Sequence, residues 1–176
     1  MDNTKTLETE RLILRKVTTN DLDDLFNNWG SDSNTTKYLT FKTHTNKEDT
    51  MKFINNWINK YEKGGLEWAI ELKENHQVIG VISADKNYQY KCVEIGYSIS
   101  SKYWNKGLIT EAMKEVVNYL LNECDFNVVE AIIPSNNIGS IKVAEKCGLT
   151  LEATLKNRYL DKDNNLQDLL VYSRFK

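Results

Sequence analysis

The sequence lacks an apolar run of about 18 residues, the length that a helix needs to cross a membrane. Residues 1–6 also lack the apolar segment that a secretory signal peptide requires. We therefore predict a cytoplasmic protein with no membrane partner.

Cysteine and histidine are scarce. Cys92, Cys124 and Cys147 are odd in number and show no C-x-x-C spacing, so we predict reduced thiols. The two histidines, His44 and His76, are too few for a His-rich metal site. We interpret His44 as a solvated loop residue and His76 as part of a hairpin turn. The sequence therefore predicts no metal cofactor.

An excess of charge of one sign is also missing. There are 23 basic and 25 acidic residues, with no long basic stripe, so we expect no nucleic-acid partner. The nucleotide-binding patterns G-x-x-x-x-G-K-[ST] and G-x-G-x-x-G are absent. With 40% apolar and 27% charged residues, the 176-residue chain is typical of a globular protein. We predict one domain spanning residues 1–176.

Hydrophobic periodicity predicts the element order β-α-α-β-β-β-α-β-α-β-β. The first helix is indicated by the i, i+3, i+4, i+7 spacing of Leu22, Leu25, Phe26 and Trp29. Three consecutive strands within residues 68–100 predict an antiparallel meander, and the unit 93–133 predicts a parallel strand pair. The fold class is therefore α+β, a three-layer α/β arrangement. A mixed, mostly antiparallel seven-stranded sheet carries helices on both faces.

Residues 103–112, Tyr-Trp-Asn-Lys-Gly-Leu-Ile-Thr-Glu-Ala, join an alternating strand to an amphipathic helix. The N–H groups of a helix's first turn have no intrahelical partner and carry partial positive charge, so they bind phosphate. Lys106 adds a full charge, and Gly107 removes the Cβ that would block close approach. The segment predicts a site for one phosphate-bearing ligand. An ordinary turn with no ligand is the alternative when this segment is considered alone.

Three motifs in this order resemble the GNAT superfamily of acetyl-CoA-dependent N-acetyltransferases, and within it the ribosomal-protein N-terminal (Rim-type) subgroup. They are Leu-Glu-Thr-Glu-Arg-Leu-Ile-Leu-Arg at 7–15, Tyr-Trp-x-Lys-Gly with Thr-Glu-Ala at 103–112, and Asn-x-x-Ser with Glu-Lys-x-Gly at 137–148. The family's broader loop signature, Gln/Arg-x-x-Gly-x-Gly/Ala, is matched strictly only at Gly107. The resemblance covers nearly the whole chain and implies a GNAT-like sheet, splayed between its fourth and fifth strands.

The resemblance implies acetyl-CoA as cosubstrate, without a metal. The pyrophosphate would lie on the loop and first turn after residue 104, and the pantetheine arm beside the end of the preceding strand. The implied cofactor-binding residues are Ser98, Ile99, Ser100, Asn105, Lys106, Gly107, Leu108, Ile109, Thr110 and Asn137.

Acetyl transfer to an amine needs a base for the amine, a donor for the oxyanion and a proton for the leaving thiolate. We predict Glu94 as the base, because it shares a strand face with Gly96 and Ser98 and is a carboxylate within an apolar strand. Burial would raise its pKa. A structural carboxylate is the alternative. The oxyanion donor is expected to be a backbone N–H near Ile99.

The thiolate acid cannot be the residue at the family's usual position. Many family members carry a tyrosine seven residues after the asparagine, and here that position is Ala144. Ser140, one helical turn earlier, is the candidate we name instead, with a serine that only bonds backbone as the alternative. For the acceptor site the resemblance indicates Trp29, Tyr38 and Tyr97, although core packing is the alternative for Trp29.

The predicted function is acetyl transfer from acetyl-CoA to a primary amine, with a protein N-terminal amine as the main acceptor. A small polyamine or aminoglycoside-like acceptor stays open. A non-catalytic acyl-CoA-binding sensor, which Ala144 would permit, stays open as well, as does a homodimer. A polyamine cleft should be strongly acidic. Whether the cleft is acidic enough for a polyamine depends on six carboxylates near the predicted acceptor region, Asp21, Asp23, Asp24, Asp32, Glu48 and Asp49.

Overall fold

The computed structural model describes residues 4–176, so residues 1–3 of the N-terminal segment considered above lie outside the described residues. The described residues form one mixed eight-stranded sheet in the order β1-β2-β3-β4-β5-β6-β8-β7. The strands are β1 Leu7–Glu8, β2 Leu12–Arg15, β3 Leu66–Leu72, β4 Val78–Asn87, β5 Cys92–Ile99, β6 Val128–Pro134, β7 Thr150–Leu160 and β8 Leu166–Phe175. The α-helices are α1 Leu22–Leu25, α2 Lys47–Glu62, α3 Leu108–Asn122 and α4 Ile138–Lys146.

The predicted α+β class and mostly antiparallel sheet are confirmed, but the sheet has eight strands, not seven. The additional strand, β1, folds back on β2 with Leu7 opposite Leu14 and Glu8 opposite Ile13. Two residues are too short to show a period-two pattern, so periodicity could not reveal this strand. No helix within residues 4–176 is long and apolar enough to span a bilayer.

The sheet opens where the resemblance places the splay. β5 and β6, the fourth and fifth of the predicted strands, pair in parallel only at Cys92–Val128, Val93–Val129 and Glu94–Glu130. Beyond Glu94, β5 continues along β4 as far as Ile99, while β6 continues along β8. The two strands therefore diverge and leave a gap in the sheet.

Two hydrophobic cores lie on opposite faces of the sheet. The larger core, on the side of α3 and α4, contains Trp68, Met113 and Phe126. The smaller core, on the side of α2, contains Trp29 and Trp57. Because Val93, Ile95 and Ile99 of β5 belong to the larger core, the alternate residues Glu94, Gly96 and Ser98 face the α2 side. This confirms the predicted alternation.

The segment predicted as one regular helix is instead a 3₁₀ turn, α1 and a wide π turn over Phe26–Gly30. The Ser31 N–H donates to the Phe26 carbonyl, five residues back, at 3.1 Å. Within this turn Trp29 is 1% exposed and its indole N–H donates to Ser98 Oγ at 2.9 Å. Such single wide turns often occur at functional sites, and here the turn carries a residue that contacts β5.

Candidate active site

Two cavities adjoin at the end of β5. The larger, about 500 Å³, lies between β5 and the beginnings of α3 and α4. The smaller, about 360 Å³, lies on the α2 side of the sheet. They share the lining residues Tyr38, Leu39, Tyr97, Ser98, Asn137 and Ser140. A ligand in one cavity can therefore meet a ligand in the other at the splay of the sheet.

The larger cavity contains most of the predicted cofactor residues. Seven of the ten line it, namely Ser98, Ile99, Asn105, Gly107, Ile109, Thr110 and Asn137. The sequence separates these residues into a strand end, a loop and a second helix start, and the fold brings them to one surface.

The loop before α3 has a backbone conformation suited to binding an anion. Gly107, at the N-cap of α3, has a φ of 76°, and Asn105 has a φ of 59°. Arg11 holds the loop by donating to the Lys106 carbonyl at 3.1 Å and by pairing with Glu111 at 2.6 Å. Partial burial opposes the shift, but hydrogen bonds from Thr9 and Arg11 and the positive charge of Arg11 lower the pKa of Glu111. Arg11, from the motif at 7–15, thus links the loop to α3.

Three predicted cofactor residues do not line the larger cavity. The Lys106 ammonium lies 5.0 Å from the ring centroid of Tyr103, and the Leu108 side chain is 4% exposed. Their backbone groups remain part of the loop and the first turn. Ser100 is fully buried, and its N–H donates to the Ile79 carbonyl at 2.8 Å. The geometry therefore does not support a cofactor contact for Ser100, because its neighbours enclose it.

The gap beside β5 exposes backbone donors. The Ser100 N–H donates toward β4, and the pairing with β4 shows no irregularity up to Ile99. Because donors alternate along a strand, the N–H groups of Tyr97 and Ile99 point the other way, toward the gap that β6 has left. The Ile99 carbonyl accepts from the Trp104 indole N–H at 2.9 Å. The Ile99 N–H thus has the place expected of an oxyanion donor.

Aromatic side chains form much of the smaller cavity. Trp29, Phe41, Phe53 and Trp57 line it, with the Trp29 and Phe53 ring centroids 4.8 Å apart. Trp29 is therefore both a core residue and part of the cavity wall. Tyr38 lines both cavities, and its hydroxyl donates to the Asn136 carbonyl at 3.2 Å.

Glu94 lines the smaller cavity, but it is not buried as the sequence had suggested. Its side chain is exposed at the cleft and forms no hydrogen bond or ion pair with residues 4–176. Partial desolvation is the main cause that raises its pKa, and the negative charges of Glu130 and Asp85 raise it further. Both are its cross-strand neighbours. Asp85 is partly offset by Lys60, whose ammonium lies 3.6 Å away.

Asn137 and Ser140 stand at the junction of the two cavities. Asn137 Oδ1 accepts from the Ser140 N–H at 3.3 Å and caps α4, which leaves the Asn137 amide donors free of that bond. The Tyr97 hydroxyl donates to the Ser140 carbonyl at 2.8 Å. Ala144, the position of the family's tyrosine, is fully buried in the core. Ser140 Oγ forms no hydrogen bond within residues 4–176. Ser140 is therefore better placed than position 144 to act as the thiolate acid.

Sequence reasoning assigned no role to Lys142 or to Lys146 of the third motif, although both line the larger cavity from α4. Their spacing of four residues after the Asn137 cap was the available signal, because such residues share one helical face. Asp32, one of the six carboxylates placed near the acceptor region from sequence, instead binds within the protein: its carboxylate accepts the Ser101 N–H at 3.1 Å and the Thr35 hydroxyl at 2.7 Å. Desolvation opposes these bonds, yet they lower the pKa of Asp32 to about 2.

His44 is not the solvated loop residue that the sequence suggested. Its Nδ1 lies 2.8 Å from Thr50 Oγ1, and its ring packs against Trp29 and Phe41. Desolvation lowers its pKa. His76 does lie at a turn, with Nδ1 2.7 Å from Glu71 Oε1. Neither histidine lines the two cavities.

Comparison with known proteins identifies the family. The sequence model of the acetyltransferase (GNAT) domain matches residues 11–150. The chain is 30% identical over 169 residues to the Bacillus subtilis protein named uncharacterized N-acetyltransferase YoaA, covering 95% of this chain and 94% of that protein. A GNAT-family acetyltransferase crystal structure from Bacillus anthracis superposes with a TM-score of 0.85 at 27% identity, covering 97% and 98% of the two chains.

A second solved structure shares the fold. The ribosomal L7/L12 α-N-protein acetyltransferase RimL, solved with coenzyme A, has a TM-score of 0.87 at 18% identity and covers 97% of this chain and 98% of that one. Within residues 4–176 no group of three or more potential metal ligands occurs. The loop at the N-terminus of α3, the open β5 backbone and the larger cavity fit acetyl-CoA. The chain belongs to the GNAT family and is an acetyl-CoA-dependent N-acetyltransferase.

Proposed function

We propose that this enzyme acetylates the N-terminal amine of a polypeptide by direct attack of the amine on acetyl-CoA, with Glu94 as general base. The observation that carries the proposal is the junction of the two cavities, where the open β5 backbone meets a cleft that contains Glu94, a carboxylate without a hydrogen-bond or ion-pair partner among residues 4–176. The larger cavity takes acetyl-CoA, and the smaller one takes the acceptor.

The proposed reaction forms a C–N bond and breaks the thioester C–S bond. Glu94 takes the ammonium proton of the acceptor, directly or through a water, so that the nitrogen has a lone pair for attack. The Ile99 N–H stabilises the carbonyl oxygen as it gains negative charge. Ser140 gives its proton to the departing thiolate and takes up the second proton of the attacking nitrogen, so its hydroxyl is restored. The products are the acetylated amine and coenzyme A as a free thiol.

The distribution of acidic residues favours an acceptor with one amine. Six carboxylates near the predicted acceptor region would have permitted a polyamine acceptor, but none of them lines either cavity. Asp21 pairs with Arg15 at 2.8 Å, and Asp23 pairs with Lys47 at 2.7 Å. In the cleft itself the Lys60 ammonium lies 3.1 Å from Glu67 and 3.6 Å from Asp85, so it offsets Asp85 in part, and Glu94 lies beside aromatic walls. A polyamine would find few carboxylates in the cleft to balance its several ammonium groups, whereas the N-terminal ammonium group of a peptide needs only one carboxylate.

The acceptor test compares three classes of amine at equal concentration. We expect thiol release with peptides that carry a free N-terminus. The kcat/KM should be at least about 10-fold lower with spermidine and with an aminoglycoside, a difference that corresponds to about 1.4 kcal/mol. Mass spectrometry of the peptide product should place the acetyl group on the α-amine. N-terminally blocked peptides that contain lysine are the matched control.

Faster turnover of spermidine than of every peptide would contradict the polypeptide proposal and favour a small acceptor. If no amine turns over while calorimetry shows coenzyme A binding, the chain acts as an acyl-CoA sensor and the catalytic proposal is wrong.

The role of Ser140 has its own test. Ser140→Ala is expected to lower kcat about 10²-fold, the lower end of general acid–base contributions, while the Kd for coenzyme A changes little. The fold should persist, because Tyr97 bonds the Ser140 backbone and not its hydroxyl. Ser135→Ala, next to α4 but in neither cavity, serves as control. An unchanged kcat for Ser140→Ala would exclude Ser140 as the thiolate acid.

A further inference from the structure

The larger cavity has a basic wall opposite the loop that precedes α3. Lys142 and Lys146 are four residues apart in α4, so their side chains emerge on one face of the helix. Both line the cavity and both are exposed. Neither forms an ion pair or hydrogen bond with residues 4–176, whereas the neighbouring Glu145 accepts from the Tyr172 hydroxyl at 3.3 Å.

Coenzyme A brings two separate phosphate groups to this cavity. The pyrophosphate suits the N–H groups of the α3 first turn, which offer several donors but only partial charge. The ribose 3′-phosphate is a monoester with a charge of about −1.5 to −2 at neutral pH, so it needs full positive charges. Lys106 is directed to the Tyr103 ring, and the lysines that line the cavity are Lys142 and Lys146.

We propose that Lys142 and Lys146 bind the 3′-phosphate of coenzyme A and make the enzyme selective for coenzyme A over its 3′-dephospho form. Two ammonium groups four residues apart can contact one phosphate from adjacent turns of the helix. This inference rests on acetyl-CoA binding and not on the identity of the acceptor, so either proposal can fail without the other.

The test measures the Kd of the full chain for coenzyme A and for 3′-dephospho-coenzyme A by calorimetry. The double variant Lys142→Ala/Lys146→Ala is expected to bind coenzyme A about 10-fold more weakly, because it loses two charge-assisted contacts that solvent partly screens. Its Kd for the dephospho form should stay within about 2-fold of the wild type, because that ligand lacks the group in question. The preference of the wild type for coenzyme A should therefore vanish.

Three further variants sharpen the result. Lys142→Arg/Lys146→Arg should retain the preference, since it keeps both charges. Lys142→Gln/Lys146→Gln should lose it with side chains of similar length, which guards against a folding defect of the alanine pair. Lys114→Ala, an exposed lysine of α3 that lines neither cavity, should bind both ligands normally. Equal weakening of both ligands, or no weakening of coenzyme A, would overturn the proposal.

Discussion

Replacing Glu94 with glutamine is expected to lower kcat/KM about 10²–10⁴-fold, the usual contribution of a general base. The amide cannot take the proton of the acceptor amine, although it keeps nearly the same shape. The Kd for acetyl-CoA should be unchanged, because Glu94 lines the acceptor cavity and not the larger one. Steady-state kinetics and calorimetry on the same sample separate the two quantities.

The pH profile adds a second criterion. A base must be deprotonated, so wild-type activity should rise as the pH passes upward through the pKa of Glu94. Partial desolvation and the negative charges of Glu130 and Asp85 raise that pKa. The rise in activity, which forms the acidic limb of the pH profile, should therefore lie at a pH above the usual carboxyl range. Glu94→Gln should lose the limb. In Glu130→Gln a negative neighbour is removed, so the limb should move to lower pH while the plateau rate remains. If Glu94→Gln keeps both rate and limb, Glu94 is a structural carboxylate.

Replacing Gly107 with alanine is expected to weaken coenzyme A binding about 10–100-fold, the equivalent of losing one or two hydrogen bonds to a charged group. Gly107 has a φ of 76°, in the left-handed region, at the N-cap of α3. Apart from its chain neighbours, the nearest atom of residues 4–176 to a Cβ there would be Arg11 Nη2 at 3.6 Å, so we expect the Cβ to intrude mainly on the space that a phosphate needs. The Kd from calorimetry is the measurement.

Gly148 provides the matched control for Gly107. It also has a left-handed φ, 81°, but lines neither cavity, and its Cβ would lie 3.6 Å from Arg174. Both alanine variants should lose about 1–2 kcal/mol of unfolding free energy, the cost of a side chain in that conformation. Only Gly107→Ala should raise the Kd. If both variants raise it equally, backbone strain and not phosphate access explains the effect.

Local patterns predicted much of this fold because their physical causes are local. Alternation in β5 put Glu94 on the face opposite Val93 and Ile95, and the structure agrees because successive side chains of a strand point to opposite faces. The wide turn at Trp29 escaped prediction because its contact partner, Ser98, is 69 residues away. Periodicity carries no information about such a distant hydrogen bond.

In the candidate site, too, local features could be predicted from the sequence, whereas contacts between distant segments could not. The loop at Gly107 could be proposed as an anion site from sequence, because a glycine before a helix start leaves the N–H groups of the first turn open to an anion. Lys142 and Lys146 were missed because the sequence does not state which face of α4 meets the cavity. The exposure of the Glu94 side chain could not be predicted because it depends on how α2 and residues 38–41 cover the sheet. The predicted direction of its pKa shift is found, since partial desolvation raises that pKa.

The sequence by itself indicated the family and the cosubstrate and placed the proposed phosphate-binding loop before α3, because motif residues and helix ends act within a few residues of one another. The tertiary structure alone decided which side chains share a cavity. The divergence of β5 from β6, the burial of Ser100 and Ala144, and the pairing of the acceptor-region carboxylates all depend on contacts between distant segments. Those contacts set the charge and shape of the cleft, and therefore the kind of amine it accepts.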